Sequence, residues 1–363
     1  MKGVGEESKN KRKEQKPESA KRHRLPYPLE PCPDWAPPKP PVFHQSWENS
    51  LSELGDVLAK KKCVKLHERA QTLAMALLKI LVPLLIGFCA YYYYPQENFS
   101  AEMVRGMRVL VTGSSSGIGE QMAYEFARMG AHLVLTARRE EQLRKVVKKC
   151  QDLGASSAHY VVADMGNLTA AQMVVEETKA KLGGLDQLVL NHVGGSSFGP
   201  FKGEIEPVIK SMTVNFFSYA QMTISAMDLL LESKGNIVVV SSMSGRVPGP
   251  FSVSYSTAKF AVEGFFTSLR TELRLRNMDL PITVAVLGYI DTEMAVKTVG
   301  NKITQRPSPK EDCARQIVRG GVLRYREVFY PYLALKPTLI YKELLPELLD
   351  QVIGYGYRLE NIL

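Results

Sequence analysis

Cysteine is scarce in this chain, with five among 363 residues. None of the five stands at the short intervals of a metal-binding motif, so we predict no metal site. So few cysteines also exclude a fold that depends on a framework of disulfides. The positions are Cys32, Cys63, Cys89, Cys150 and Cys313.

Internal repeats and signs of a second globular domain are also lacking. The formal charge of +9 is uneven, because residues 1–72 hold 15 Lys and Arg against 10 Asp and Glu. Aromatic residues do not alternate with these lysines as they do in single-strand binders, so we predict no nucleic-acid partner. Binding of nucleic acid or acidic lipid through this basic end stays an alternative.

The amino-terminal extension, residues 1–71, is basic and rich in proline. Such a composition cannot bury enough apolar surface to fold, and we predict that the extension is disordered. Met75 is an alternative initiator, which leaves open whether residues 1–74 are translated.

One long apolar run follows, from Thr72 to Tyr94, with Lys79 as its single charge. About twenty apolar residues span a bilayer core, and four tyrosines at the far end resemble an interfacial belt. No small-residue cleavage site follows, so we predict a retained signal-anchor helix over residues 72–94 rather than a cleaved signal peptide. Basic residues precede the run, which places the amino end in the cytosol and the large domain in the lumen.

A lumenal domain exposes two glycosylation acceptors, Asn98 and Asn167, of which Asn98 is expected to lie too close to the membrane to be reached. Of the cysteines, Cys150 and Cys313 then face the lumen, so at most one internal disulfide can form and free thiols are favoured.

Strands and helices alternate from Arg105 to Tyr330, which predicts a doubly wound α/β domain over residues 105–330 with a parallel sheet of about seven strands. Strands are predicted at 108–112, 132–137, 158–162, 187–191, 236–242, 282–287 and 328–330. Helices are predicted at 117–129, 140–153, 169–182, 204–231, 255–276 and 309–323. The remaining carboxyl-terminal segment, residues 331–363, is apolar and predicts a final helix that packs on a partner, the membrane or the core.

The first strand ends in a glycine-rich turn, Gly113–Gly119. Glycines there let backbone amides approach a pyrophosphate at a helix amino end, so the turn predicts dinucleotide binding. The second strand ends at Arg138 and Arg139, where an acid is usual for NAD and arginine suits the additional phosphate of NADP. Asp164 and Asn191 close the third and fourth strands beside the same cofactor.

Hydroxyl, phenol and ammonium groups are brought together between Gly235 and Arg270. Ser242 ends a strand, and the next predicted helix carries Tyr255 and Lys259 four residues apart, on one face. Lys259 lowers the cost of a phenolate, so Tyr255 is predicted to act on a carbonyl oxygen as an acid and base with a lowered pKa.

These features together resemble the short-chain dehydrogenase/reductase family over residues 106–330. The resemblance implies a Rossmann-type sheet and hydride transfer with a nicotinamide. It implies that Tyr255 is the acid/base, Lys259 binds the ribose, Ser242 orients the substrate carbonyl and Asn215 holds a relay water. The cofactor contacts it implies are Gly113, Ser114, Ser115, Ser116, Gly117, Ile118, Gly119, Arg138, Arg139, Asp164, Met165, Asn191, His192, Val193, Tyr255, Lys259, Ile290 and Thr292.

Departures from the general pattern, such as LNHVGG at 190–195 and VLGYIDTE at 286–293, resemble the 11β-hydroxysteroid dehydrogenase type 1 subfamily and its type-1-like branch. That resemblance implies an NADP(H)-dependent homodimer of the endoplasmic reticulum lumen that acts on 11-oxo and 11β-hydroxy glucocorticoids. Type 1 enzymes have lysine where this chain has Ser116, so Arg138, helped by Arg139, is expected to hold the 2′-phosphate. They also have tyrosine at the Gly249 position and leucine at the Tyr289 position.

Two other functions stay open. One is the same chemistry on another apolar carbonyl, such as a retinoid or lipid ketone. The other is a non-catalytic NADP-binding membrane protein, which the presence of Ser242, Tyr255, Lys259 and Asn215 disfavours.

Overall fold

The computed structural model describes residues 71–89 and 98–363, together with Lys65 and Arg69. Most of the amino-terminal extension and the tyrosines of residues 91–94 therefore lie outside the described residues. Of the extension, Lys65, Arg69 and Gln71 are described, and all three are helical.

Helix α1, Gln71–Cys89, has a mean hydropathy of 2.2, and none of its most apolar stretch is buried. Its 19 residues extend over about 28 Å at 1.5 Å per residue, close to the thickness of a bilayer core. Length and composition thus fit a single membrane span, as the sequence predicts. The described residues 98–363 form a separate compact unit.

A seven-stranded sheet organises that unit, in the order β3-β2-β1-β4-β5-β6-β7 with every neighbouring pair parallel. The predicted doubly wound sheet is confirmed, and the predicted strands deviate by at most one residue at either end. The strands are β1 Arg108–Thr112, β2 His132–Ala137, β3 Ser157–Val162, β4 Gln187–Leu190, β5 Asn236–Ser242, β6 Ile282–Leu287 and β7 Glu327–Tyr330.

Helices cover both faces of the sheet because its strands are apolar on both faces. Side chains such as Val109 and Val111 enter one core with α2, α3 and α9, whereas Leu110 enters the opposite core with α4, α6 and α7. The helices of this unit are α2 Gly117–Arg128, α3 Glu140–Asp152, α4 Leu168–Leu182, α5 Glu206–Met212, α6 Ser218–Glu232, α7 Val253–Leu275, α8 Glu293–Val299, α9 Lys310–Val322, α10 Tyr332–Leu344 and α11 Pro346–Tyr355.

Three segments differ from the sequence predictions. The single helix predicted over 204–231 begins two residues later and contains a π-helical turn, Thr213–Phe217, between α5 and α6. Helix α8 was not predicted. The carboxyl-terminal segment forms two helices rather than one, because Pro346 disfavours helical backbone at Leu345, which has φ −143°.

The strand order reverses between β1 and β4, which lie side by side at the centre of the sheet. Connections from these two strands leave toward opposite faces, so a crevice opens at their carboxyl ends. The predicted site residues follow these strands and their neighbours, at the same edge of the sheet.

Candidate active site

The glycine-rich turn lies at the carboxyl end of β1. Gly113 has φ +64°, and a Cβ there would lie 2.6 Å from the Cα of His192. A Cβ at Gly119 would overlap the carbonyl oxygen of Gly113. Both positions therefore require glycine, and the turn presents backbone rather than side chains at the amino end of α2. This cradle fits a dinucleotide pyrophosphate.

Asn191 fixes the end of β4 to the same turn. Its backbone N–H donates to Thr112 Oγ1 at 2.8 Å, and its side-chain amide donates to the carbonyl oxygens of Thr112 and Gly113 at 3.0 and 3.3 Å. The sequence prediction that Asn191 braces the chain beside the crevice therefore has a geometric basis. The hydroxyl of Thr112, which links the two strands, was not predicted.

His192 is buried directly behind the turn. Its Nδ1 lies 2.9 Å from Thr112 Oγ1 and its Nε2 lies 2.7 Å from Ser218 Oγ. Burial, helped by the nearby Lys259 charge, lowers the pKa of His192 to about 3. The imidazole is therefore neutral near pH 7 and serves as a hydrogen-bonded spacer between β1 and α6.

Arg139, rather than Arg138, reaches the glycine-rich turn. Its guanidinium donates to Ser116 Oγ at 2.7 Å and to Ser115 Oγ at 3.2 Å. Arg138 is exposed at the same strand end. Arg139 thus places a positive charge where the type 1 subfamily carries a lysine in the turn itself, and the two serine hydroxyls lie beside that charge. The set fits the 2′-phosphate of NADP.

Asp164 and Met165 follow β3 at the same sheet edge. The Asp164 carboxylate is exposed and accepts a hydrogen bond from the Gly166 backbone N–H at 3.0 Å, whereas Met165 is buried. Val193, at the opposite side of the glycine-rich turn, has 36% of its surface exposed. Asp164 and Val193 are thus accessible at this edge, whereas Met165 is not, and the contacts of all three with a cofactor stay predictions.

Lys259 and Tyr255 project from α7 toward β5. The ammonium donates to the Val240 carbonyl oxygen at 2.8 Å and lies 5.8 Å from the Tyr255 ring centroid. Lys259 is 2% exposed. Burial lowers the pKa of Lys259 to about 8, and the carboxylate of Glu263 opposes that shift.

Burial also raises the pKa of Tyr255, and a hydrogen bond with Ser242 opposes this shift. The sequence predicts a lowered pKa for Tyr255, the opposite of the raised pKa found here. The spacing shows that a lysine lies nearby, but it does not show how deeply the phenol is buried. Ser242 ends β5 and accepts a hydrogen bond from the Ser244 N–H at 3.2 Å. Hydroxyl, phenol and ammonium therefore meet at the carboxyl end of β5.

Asn215 lies within the π-helical turn and is completely buried. Its amide exchanges two hydrogen bonds with Gly194, at 2.8 and 3.0 Å, and donates to the Ser211 carbonyl oxygen at 2.9 Å. Single π-helical turns occur often at functional sites. Here the turn directs the Asn215 amide to the loop that follows β4.

Ile290 and Thr292 connect β6 to α8 and complete the crevice. Ile290 is buried and forms a parallel bridge with Ser308. Thr292 caps α8 by accepting a hydrogen bond from the Ala295 N–H at 3.2 Å, and a Cβ at Gly117 would lie 3.1 Å from its methyl carbon. Thr292 thus adjoins the glycine-rich turn, and Ile290 precedes Thr292 by two residues in the same loop.

Tyr219 is a site residue that the sequence analysis missed. It is completely buried, its hydroxyl donates to the His192 carbonyl oxygen at 2.7 Å, and the Lys259 ammonium lies 5.1 Å from its ring centroid. Tyr219 follows Asn215 by four residues, so helical spacing could have indicated a shared face.

An aromatic cluster of Phe198, Phe251 and Tyr357 was also missed. The Phe251 and Tyr357 ring centroids lie 5.4 Å apart, and Phe198 stacks on Tyr357 at 6.3 Å. Backbone hydrogen bonds tie the last residues to the loop after α8, with Arg358 N donating to Lys302 O at 2.8 Å. The ring contacts of Tyr357 join segments more than a hundred residues apart, so no local pattern reveals them.

A glycine-rich cradle at a strand-order reversal, beside a serine, a tyrosine and a lysine, defines a nicotinamide-dependent oxidoreductase of the alcohol and carbonyl class. Comparison with known proteins agrees. The model of the short chain dehydrogenase family matches residues 107–302. The chain belongs to the short-chain dehydrogenase family, which confirms the resemblance seen in the sequence.

Among curated relatives, hydroxysteroid 11-beta-dehydrogenase 1-like protein B of Xenopus laevis is 56% identical over 284 residues, covering 78% of this chain and 98% of the relative. A hydroxysteroid 11-beta-dehydrogenase 1-like protein of Danio rerio is 42% identical over 277 residues, covering 76% and 96% of the two chains. A short chain dehydrogenase of Burkholderia cenocepacia J2315, solved in complex with NADP, is 26% identical with a TM-score of 0.55, covering 62% of this chain and 97% of its own.

Proposed function

We propose that this chain is an NADP(H)-dependent 11β-hydroxysteroid dehydrogenase that interconverts 11-oxo and 11β-hydroxy glucocorticoids. In the reductive direction it converts cortisone to cortisol. The observation that carries the proposal is the convergence of Ser242, Tyr255 and Lys259 at the carboxyl end of β5, beside the glycine-rich turn. The 11-beta-dehydrogenase 1-like relatives support the substrate class.

The three side chains suit carbonyl reduction. Ser242 and Tyr255 bind the substrate oxygen, and a phenol whose pKa burial raises is protonated near pH 7 and able to donate. When bound, the nicotinamide supplies the hydride. Lys259 stabilises the phenolate that remains on Tyr255, and it is largely charged below the value of about 8 to which burial lowers its pKa.

Around this centre, Asn215 holds the loop after β4 through its paired hydrogen bonds with Gly194. The family resemblance implies that Asn215 also holds a relay water, and this role is part of the proposal. In the alcohol-oxidising direction the phenolate form of Tyr255 accepts the proton, and the charge of Lys259 stabilises that phenolate.

The proposed cofactor site follows the crevice from end to end. Arg139, with the serine hydroxyls of the turn, holds the 2′-phosphate, and Arg138 adds positive charge at the same strand end. Asp164 and Met165 contact the adenine side. Asn191, His192 and Val193 support the centre, whereas Ile290 and Thr292 contact the nicotinamide end.

We further propose that α1 anchors the chain in the endoplasmic reticulum membrane, with residues 105–330 and the carboxyl-terminal segment in the lumen. Asn98 and Asn167 are both exposed, as glycosylation requires. Three exposed apolar side chains offer a surface for a homodimer: Phe260 on α7, Ile224 in the middle of α6 and Phe217 at the end of the π-helical turn.

A second candidate is the same chemistry on another apolar carbonyl. Gly249 presents no side chain where the type 1 subfamily has a tyrosine against the steroid. An open groove of about 740 Å³ lies beside it, lined by Pro248, Pro250 and residues of α7 and α11. A retinoid or lipid ketone of different shape would then replace the glucocorticoid.

The test is turnover by the full-length chain in microsomes, with cortisone and cortisol supplied with NADPH and NADP or with NADH and NAD. A panel of other apolar ketones is run in parallel, and the Tyr255→Phe chain is the control. Cortisone reduction with NADPH that Tyr255→Phe abolishes supports the proposal. Good turnover of other ketones without cortisone supports the second candidate. A Tyr255→Phe chain that preserves cellular function, with no turnover by the natural chain, supports a non-catalytic NADP-binding protein.

A further inference from the structure

A buried ion cluster lies one helical turn beyond Lys259. Glu263 follows Lys259 by four residues on α7 and is 6% exposed. Arg246 Nη2 lies 2.7 Å from Glu263 Oε2 and 2.6 Å from Glu327 Oε1. One arginine thus joins a carboxylate of the catalytic helix to a carboxylate at the start of β7.

The cluster is built into the wall of the site. Arg246 follows the short turn Met243–Gly245, and a Cβ at Gly245 would lie 2.7 Å from the carbonyl oxygen of Lys259. The segment that carries Arg246 therefore packs directly on the turn of α7 that carries the lysine. The ion cluster and Lys259 therefore lie on two segments that pack directly against each other.

Arg246, Glu263, Glu327 and Lys336 carry two charges of each sign, but the two cations are placed unequally. Arg246 is shared between Glu263 and Glu327, so two carboxylates face one guanidinium. Lys336 approaches Glu327 at 3.9 Å, whereas Glu263 has no such second ion pair among the described residues. Glu263, which shares its arginine with Glu327, lies one turn from the buried ammonium of Lys259 on the same helix face.

Apart from Glu263, only neutral groups stabilise the buried positive charge of Lys259 among the contacts that the structure describes. Its hydrogen-bond acceptor is the neutral carbonyl oxygen of Val240, and the ring of Tyr219 provides a cation–π contact. A buried ammonium without a compensating carboxylate loses its proton readily. The groups that face Lys259 and the cluster from neighbouring elements are Tyr219, His192, Tyr255, Arg246, Arg270, Arg326, Glu327 and Lys336.

We propose that Glu263 is a positioning residue that keeps Lys259 charged, and that Arg246 and Glu327 hold Glu263 in place for this purpose. This inference rests on the proposed role of Lys259 beside Tyr255. It assigns a part in catalysis to residues that touch neither substrate nor cofactor.

The matched variants are Glu263→Gln and Glu327→Gln. Each removes one of the two carboxylates that pair with Arg246, and each keeps the size of the side chain. Glu263 is the carboxylate that opposes the burial shift at Lys259, so we expect Glu263→Gln to lower the pKa of Lys259 by about one unit. Glu327→Gln is expected to shift the pKa of Lys259 less, because the Glu327 carboxylate is not one of the charges that act on Lys259. Melting temperatures of both chains measure the structural cost, which should be similar.

Two readouts on the full-length chain in detergent make the test complete. The first is the pH titration of the Lys259 side chain by NMR in ¹³C-lysine-labelled protein, with the signal assigned through Lys259→Arg. The second is the pH dependence of ketone reduction. If the pKa of Lys259 falls by one unit from about 8, activity at pH 6 stays nearly unchanged and activity at pH 8 decreases about fivefold.

An unchanged Lys259 titration in Glu263→Gln, or an equal shift in both variants, overturns the proposal. The NMR titration does not depend on turnover. A chain that reduces no ketone therefore refutes the proposed function while the role of Glu263 is still decided.

Discussion

Replacement of Arg139 by alanine tests how the crevice recognises the additional phosphate of NADP. In the structure the guanidinium donates to the hydroxyls of Ser115 and Ser116, and it is the positive charge that contacts the glycine-rich turn. Because this arginine is exposed, solvent screens its charge, and we expect the lower end of the range for a hydrogen bond to a charged group. The dissociation constant of NADPH should rise about tenfold.

The binding of NADH, which has no 2′-phosphate, should change less than twofold. The assay is the quenching or enhancement of nicotinamide fluorescence on titration into the full-length chain, at low and at high salt. The discrimination between NADPH and NADH should decrease as salt rises, since exposed charges are screened over about 10 Å at 0.1 M ionic strength.

Arg138→Ala is the matched control, because it removes an exposed arginine from the adjacent position. We expect a smaller loss of NADPH affinity than for Arg139→Ala. Ser116→Lys, which restores the charge that the type 1 subfamily has within the turn, should recover NADPH binding in the Arg139→Ala chain. A larger effect of Arg138→Ala, or equal losses for NADPH and NADH, would refute the assignment.

Three other predictions concern catalysis, the turn and acid stability. Tyr255→Phe should lower kcat by a factor of about 10² to 10⁴, typical of a lost general acid, with NADPH affinity unchanged by fluorescence titration. Gly119→Ala should lower both the melting temperature and NADPH affinity, because the new methyl group overlaps the Gly113 carbonyl oxygen; unaltered binding would contradict the cradle. Burial raises the pKa of Asp186, but the hydrogen bonds from Arg108 outweigh it, so the folded-state pKa lies below the unfolded value of about 4. The ionised Asp186 therefore stabilises the fold above about pH 4, and this stabilisation is lost as the pH falls through the folded-state pKa. Asp186→Asn should therefore reduce stability at pH 7 and flatten its decline toward acid in urea unfolding.

The strands of the sheet could be predicted because most of them are short apolar runs that end at glycine or a polar residue. Parallel pairing then follows from the alternation with helices, and it brings the carboxyl ends of β1, β4 and β5 to one edge. The spacing of Tyr255 and Lys259 supplied their common face. These parts of the site depend on local pattern and on a fixed topology, both of which the sequence carries.

The rest depends on contacts between distant segments. The sequence does not distinguish the two adjacent arginines. Only the hydrogen bonds to Ser115 and Ser116 show that Arg139 is the one that contacts the glycine-rich turn. The π-helical turn around Asn215 covers only five residues between two α-helices, too few for its longer period to appear in the sequence pattern. The raised pKa of Tyr255 depends on burial, which no spacing rule provides.

The carboxyl-terminal residues are attached to the body of the domain, which limits how the protein can be truncated or tagged. Arg358 and Gly356 are hydrogen-bonded to Lys302 and Thr304, and Tyr357 lies between rings of the loops after β4 and before α7. Trimming the final eight residues therefore removes part of the enclosure around the crevice rather than a dispensable end. An affinity tag is better placed elsewhere, or separated from Leu363 by a long spacer.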